Sequence, residues 1–141
     1  MRPMLKLQPS IIYAFIAAFS AIPALAQPAP ISTLPATFKG TTAGVLSLSS
    51  IRNKDDRGNF CLGYGDHTAD HEIKLEQDFP SLTFRVESNA NIKLLLQETK
   101  TNKIYCGSQQ ITTQNLPAGT YNVWLGSENS GQQSRYKLIV E

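Results

Sequence analysis

From residue 38 onward, apolar and polar side chains alternate with a period of two in one short segment after another. Leu82, Phe84 and Val86 interleave with Thr83, Arg85 and Glu87; Tyr121, Val123 and Leu125, and then Tyr136, Leu138 and Val140, repeat the pattern. Shorter versions run through Leu46 and Leu48, Ile73 and Leu75, Ile92, Leu94 and Leu96, and Ile104 and Cys106. This period sends one set of side chains to a core and the other to solvent, which is the signature of half-buried strands. The breaks, among them Asp55-Asp56-Arg57-Gly58-Asn59, Asp78-Phe79-Pro80, Ser88-Asn89-Ala90-Asn91 and Pro117-Ala118-Gly119, consist of residues that favour turns. No stretch after residue 26 keeps a helical period for three turns. The pattern predicts an all-β domain over 38–141, an antiparallel β-sandwich, jelly-roll-like, of about seven or eight strands.

The first 26 residues read differently. Arg2 and Lys6 precede an uncharged apolar run at 11–21, Pro23 interrupts it, and Ala24-Leu25-Ala26 offers the small-x-small pattern that signal peptidases cut. The run is shorter than the roughly 20 residues that span a bilayer, which favours a cleaved signal peptide over an uncleaved anchor. No later segment is apolar enough to span a membrane. Residues 27–37 hold several prolines among small residues and read as a flexible, Pro-rich leader. The expected localisation is periplasmic or secreted.

Export changes the charge. The chain has 13 Lys and Arg against 11 Asp and Glu, but Arg2 and Lys6 belong to the signal, so the exported part balances. Neither a nucleic-acid footprint nor a field that steers charged substrates is indicated. The two cysteines, Cys61 and Cys106, both fall in the exported part. An oxidising compartment lets them pair, and only one intramolecular bridge is possible. Their separation excludes a CxxC redox centre, and two cysteines alone cannot complete a zinc site.

Three groups of residues invite a chemical reading. Asp66-His67-Thr68-Ala69-Asp70-His71 contains both histidines, and His67, Asp70 and His71 are ligand types that suit a transition metal. His71, however, lies in phase with Ile73 and Leu75, whereas His67 precedes the strand, so the two should diverge; no metal or other cofactor is expected. Trp124 is out of phase with Tyr121, Val123 and Leu125, which places it on the outer face, together with Tyr105. There it is either roofed by Phe38 and the segment before Leu46 or open to a ligand such as a sugar ring or a partner side chain. Catalysis finds no support: no Gly-x-Ser-x-Gly elbow occurs, paired cysteines are not nucleophiles, and Asp55-Asp56 sits in turn chemistry.

Cys61-Leu62-Gly63-Tyr64, Asp70-His71 opening a strand, Ile104-Tyr105-Cys106-Gly107, the run Ala118-Gly119-Thr120-Tyr121-Asn122-Val123-Trp124-Leu125-Gly126-Ser127 and the final Tyr136-Lys137-Leu138 together resemble the bacterial pre-peptidase C-terminal (PPC)-like domains. The resemblance covers roughly 40–141. It implies a small exported β-sandwich, either a non-catalytic appendage of secreted hydrolases or a free-standing module. The chain departs from the pattern at Gly107-Ser108-Gln109-Gln110, where relatives often carry acidic residues, so the resemblance brings no calcium ligands to that stretch. The expected function is a non-catalytic module that binds a polysaccharide such as a cell-surface glycan, a peptide or another exported protein. The alternative is a purely structural, envelope-associated domain without a small ligand.

Overall fold

The computed structural model describes residues 27–141; the expected signal peptide lies outside the described residues. Eleven strands make up most of the described chain: β1 (Ala29–Ile31), β2 (Ala36–Thr41), β3 (Leu46–Ser47), β4 (Tyr64–Gly65), β5 (His71–Leu75), β6 (Phe79–Glu87), β7 (Lys93–Glu98), β8 (Ile104–Ser108), β9 (Gln110–Leu116), β10 (Gly119–Gly126) and β11 (Arg135–Val140). Nine of them are paired in the order β1-β5-β10-β7-β8-β9-β6-β11-β2. Only one residue pair, Ser108 with Gln110, joins β8 to β9. Between them Gln109 takes φ +64 and turns the chain. The amide of Gln109 secures this corner, its Oε1 accepting the Ile92 N–H and its Nε2 donating to the Ala90 carbonyl. The strands thus fold into two layers, β1-β5-β10-β7-β8 and β9-β6-β11-β2, packed as a sandwich.

The alternation sets what lies between the layers. Leu82, Phe84, Val86, Tyr121, Val123, Leu125, Tyr136 and Leu138 all belong to one buried cluster, joined by Ile73, Leu75, Leu94 and Leu96. Their partners in the alternation, Arg85, Glu87 and Lys137, lie on the outer face of the second layer and are linked there, with Glu141, by exposed ion pairs.

The structure extends the expected strand set in two places. Residues 27–37 are not free of the sheet, because Ala29–Ile31 pairs in parallel with β5 and Ile31 is buried. Strand β9 carries no clean alternation: Ile111 and Thr113 face inward, but Asn115 takes φ +50 and brings Leu116, rather than residue 115, back to the core. A local reversal of this kind breaks the period that marks a strand in sequence. The chain at Leu46 and Leu48, expected as one strand, is a two-residue strand followed by a 3-10 turn over Leu48–Ser50. Among the described residues, no helix is long and apolar enough to cross a membrane.

Candidate functional site

Across β10, β7 and β8 the first layer is buried on both faces. Trp124, Leu95 and Cys106 stand side by side across β10, β7 and β8 on its outer face. With Ile104 they form a second apolar cluster, closed from above by Leu48 and Cys61 and flanked by Ile51 and Ala69. The covering segment, residues 42–70, is here termed the cap. It is mostly irregular, and among the contacts that fix it to the sheet three stand out. Tyr64 and Ser127 exchange backbone hydrogen bonds of 2.9 Å in both directions. Cys61 and Cys106 form the expected disulfide, with Cα atoms 5.2 Å apart. Asp55 supplies the third tie: its Oδ1 accepts the backbone N–H groups of Arg57 and Asn59, while its Oδ2 accepts the N–H of Cys106 at 2.9 Å.

Burial pushes the Asp55 carboxyl up, yet these hydrogen bonds more than offset it and hold the group below its ordinary value. Arg57 extends the cap across the corner between the layers. Its Nη1 donates to the Thr112 carbonyl of β9, and its guanidinium lies 5.3 Å from the Tyr105 ring centroid.

Trp124 is therefore roofed, at 6 % exposure. The roof is not the one expected from sequence: Phe38 faces the sandwich interior, 5.4 Å from His71, and the segment after Leu46 covers the indole. Tyr105 does not share the face of Trp124. It is in register with Leu96 and packs in the inner core. Neither aromatic is presented as an open platform. The indole Nε1 of Trp124 is buried and has no hydrogen-bond partner among the described residues.

His67, Asp70 and His71 do not converge. His67 is exposed. Asp70 Oδ2 accepts the N–H of Leu125 at 2.8 Å, and His71 Nε2 shares a 2.8 Å hydrogen bond with the Tyr136 hydroxyl across the two layers. Gly40, paired with Tyr136 on β2, leaves room for the phenol, since a Cβ there would collide with it. Burial lowers the pKa of His71 and raises that of Tyr136. Asp70 is pushed up to about 6 by burial, with the neighbouring Asp66 charge adding to it against the pull of the Leu125 N–H. Among the described residues, no group of three His, Cys, Asp or Glu side chains could hold a metal ion.

The accessible chemistry lies on the cap's outer side. Phe60 and Leu62 flank the buried Cys61 and are 56 % and 57 % exposed; Val45, also on the cap, is 75 % exposed. Beside Leu62 runs a groove of about 270 Å³, lined by Ser47, Ser49, Leu62, Tyr64, Lys93 and Glu128. Gly63, at φ +103, lets the Lys93 stem cross the chain closely enough to reach the groove. The Lys93 ammonium donates to Ser108 Oγ at 3.2 Å.

Comparison with protein-family models, curated proteins and solved structures returns no match. The site is thus characterised by its own geometry. Sequence reading passed over Phe60 and Leu62 because they adjoin turn residues. The available signal was their phase: if Cys61 points inward to its bridge, its two neighbours point outward.

Proposed function

We propose that the chain is an exported, non-catalytic β-sandwich module that binds another polypeptide through the outer side of the cap. The observation that carries this reading is the exposure of Phe60 and Leu62 on a segment fixed by the Cys61–Cys106 bridge and Asp55. Large apolar side chains held outward on a rigid support lose little conformational entropy on binding, and such exposed clusters mark interaction surfaces. Of the ligand classes considered, a polypeptide fits better than a glycan. The Lys54 ammonium already lies 4.6 Å from the Phe60 centroid, and Leu62 and Val45 offer no ring to stack on a sugar.

Export is supported by the signal-like residues 1–26, by the bridge, which belongs to an oxidising compartment, and by the resemblance to PPC-like domains. A non-catalytic role is supported by what the perturbed groups do. Asp55, Asp70 and His71 are each engaged in bonds that hold the fold together.

Cross-linking through Lys93 in the producing cells, followed by mass spectrometry, identifies the candidate partner. The purified partner should bind the parent saturably and bind Phe60→Ser/Leu62→Ser at least about tenfold more weakly, with stability unchanged. Equal binding to both, or no saturable polypeptide, would leave the structural, envelope-associated role.

A further inference from the structure

We propose that the polypeptide seated on the cap is a second copy of this chain, in a two-fold symmetric pair. The proposal rests on the reading above and names its partner. It starts from the charges beside Leu62. Lys93 and Glu128 line the same groove, and neither takes part in an ion pair among the described residues. A complementary partner must bring an anion, a cation and an apolar knob to one small area. The groove and its rim carry that same set in Glu128, Lys93 and Leu62.

A two-fold axis beside Leu62 satisfies both charges twice, Lys93 of each copy meeting Glu128 of the other around a central apolar contact. Self-complementarity of this kind is what an isologous interface demands. The contact is closed, so pairing stops at two. Two other routes to self-association are blunted. Strand β1, at one sheet edge, is three residues long and contains Pro30, with Pro28 just before it. The outer face of the second layer carries Arg85, Glu87, Lys137 and Glu141, which already pair with one another. Because Lys and Arg balance Asp and Glu over 27–141, little net charge opposes the approach of two copies.

The test is sedimentation of the exported protein across about two decades of concentration, where a weak pair dissociates measurably. The weight-average mass should rise toward two chains. Leu62→Asp should remain a single chain throughout. Lys93→Glu and Glu128→Lys should each weaken pairing by about tenfold or more, and the combined Lys93→Glu/Glu128→Lys exchange should restore it to within about threefold of the parent. Urea midpoints close to that of the parent confirm that each variant is folded. A parent that stays single at every concentration, a mass beyond two chains, or a combined variant no better than the single ones would overturn the proposal. If the parent stays single while Phe60→Ser/Leu62→Ser still weakens a cross-linked partner, the second copy is wrong and the binding surface stands. Pairing that ignores Leu62→Asp overturns both.

Discussion

Asp55 and Cys106 lie 51 residues apart, yet the carboxylate of one accepts the backbone N–H of the other at 2.9 Å, beside the disulfide that Cys106 forms with Cys61. One position on β8 therefore anchors the cap twice, once covalently and once through a buried acceptor. Asp55→Asn keeps one oxygen for the Arg57 and Asn59 amides but leaves Cys106 without its acceptor. An unpartnered buried N–H costs about 1–3 kcal/mol, and urea unfolding should show a loss of that size. Asp55 is held below its ordinary pKa, so its contribution is present above about pH 4 and lost as pH falls through the lower folded value. Asp55→Asn should therefore narrow its deficit toward the parent in acid. A deficit that is the same at neutral pH and below pH 3 would count against the anchor.

The bridge closes a separation of 45 residues, and both cysteines are at most 2 % exposed. Cys106→Ala should lower stability by about 2–4 kcal/mol. Reductants should act only as fast as the cap opens, so thiol labelling of the folded protein should track loss of the native indole signal. Rapid labelling with that signal intact would show that the bridge is accessible and the cap is not a rigid cover.

Because the cap encloses Trp124, its emission should be blue-shifted and resistant to acrylamide. Trp124→Ala should cost about 3–5 kcal/mol. Trp124→Phe is the more telling variant. It retains much of the packing while deleting the indole N–H, which has no partner among the described residues. Removing an orphaned donor recovers its desolvation cost, so Trp124→Phe should lose under about 2 kcal/mol. A loss as large as that of the alanine variant would show that the N–H is satisfied.

Which side chains of β6, β10 and β11 face the core was legible from alternation alone. Phe84 and Arg85 are adjacent, one fully buried and the other bonded to Glu87 and Glu141 at the surface. Phe84→Ala should cost about 3–5 kcal/mol and Arg85→Ala far less, because exposed ion pairs contribute little. Equal losses would refute the register. The cap was less legible, since an irregular segment has no period. Its footprint nevertheless lay in the sequence: Leu94-Leu95-Leu96, Ile104-Tyr105-Cys106 and Val123-Trp124-Leu125 are each apolar on both phases, and a strand wet on one face does not need that. Leu95, Cys106 and Trp124 are the middle or end positions of those runs, and pairing brings them into one row. What sequence could not supply was the pairing itself, which places Tyr105 inward while Trp124 lies outward. Among the site residues, Cys61 and Cys106 were identifiable by elimination. Leu62, Lys93 and Glu128 come together only through the cap's path beside β7.

The acid–base behaviour of the fold should be set at the end where Asp70, His71 and Tyr136 meet, and there two groups act in opposite directions. Burial lifts Asp70 from 3.8 to about 6, so between those values the folded state holds its proton more tightly than the unfolded state, and stability falls as pH rises. His71 is lowered from 6.5 by burial, so the unfolded state takes up its proton first, and stability falls as pH drops below about 6.5. The parent should therefore show a shallow profile between about pH 4 and 6.5. Asp70→Asn retains a carbonyl oxygen for the Leu125 N–H and removes the cost of ionising a partly buried carboxyl beside Asp66. Since solvent reaches part of the group, the expected gain above pH 7 is about 1 kcal/mol, with none near pH 4. Only the His71 contribution then remains from this pair, so the variant's stability should climb with pH up to about 6.5 and level off. Urea midpoints measured from pH 4 to 8 decide it: a gain that is independent of pH, or a variant less stable than the parent above pH 7, would show that the Asp70 charge is favourable in the fold.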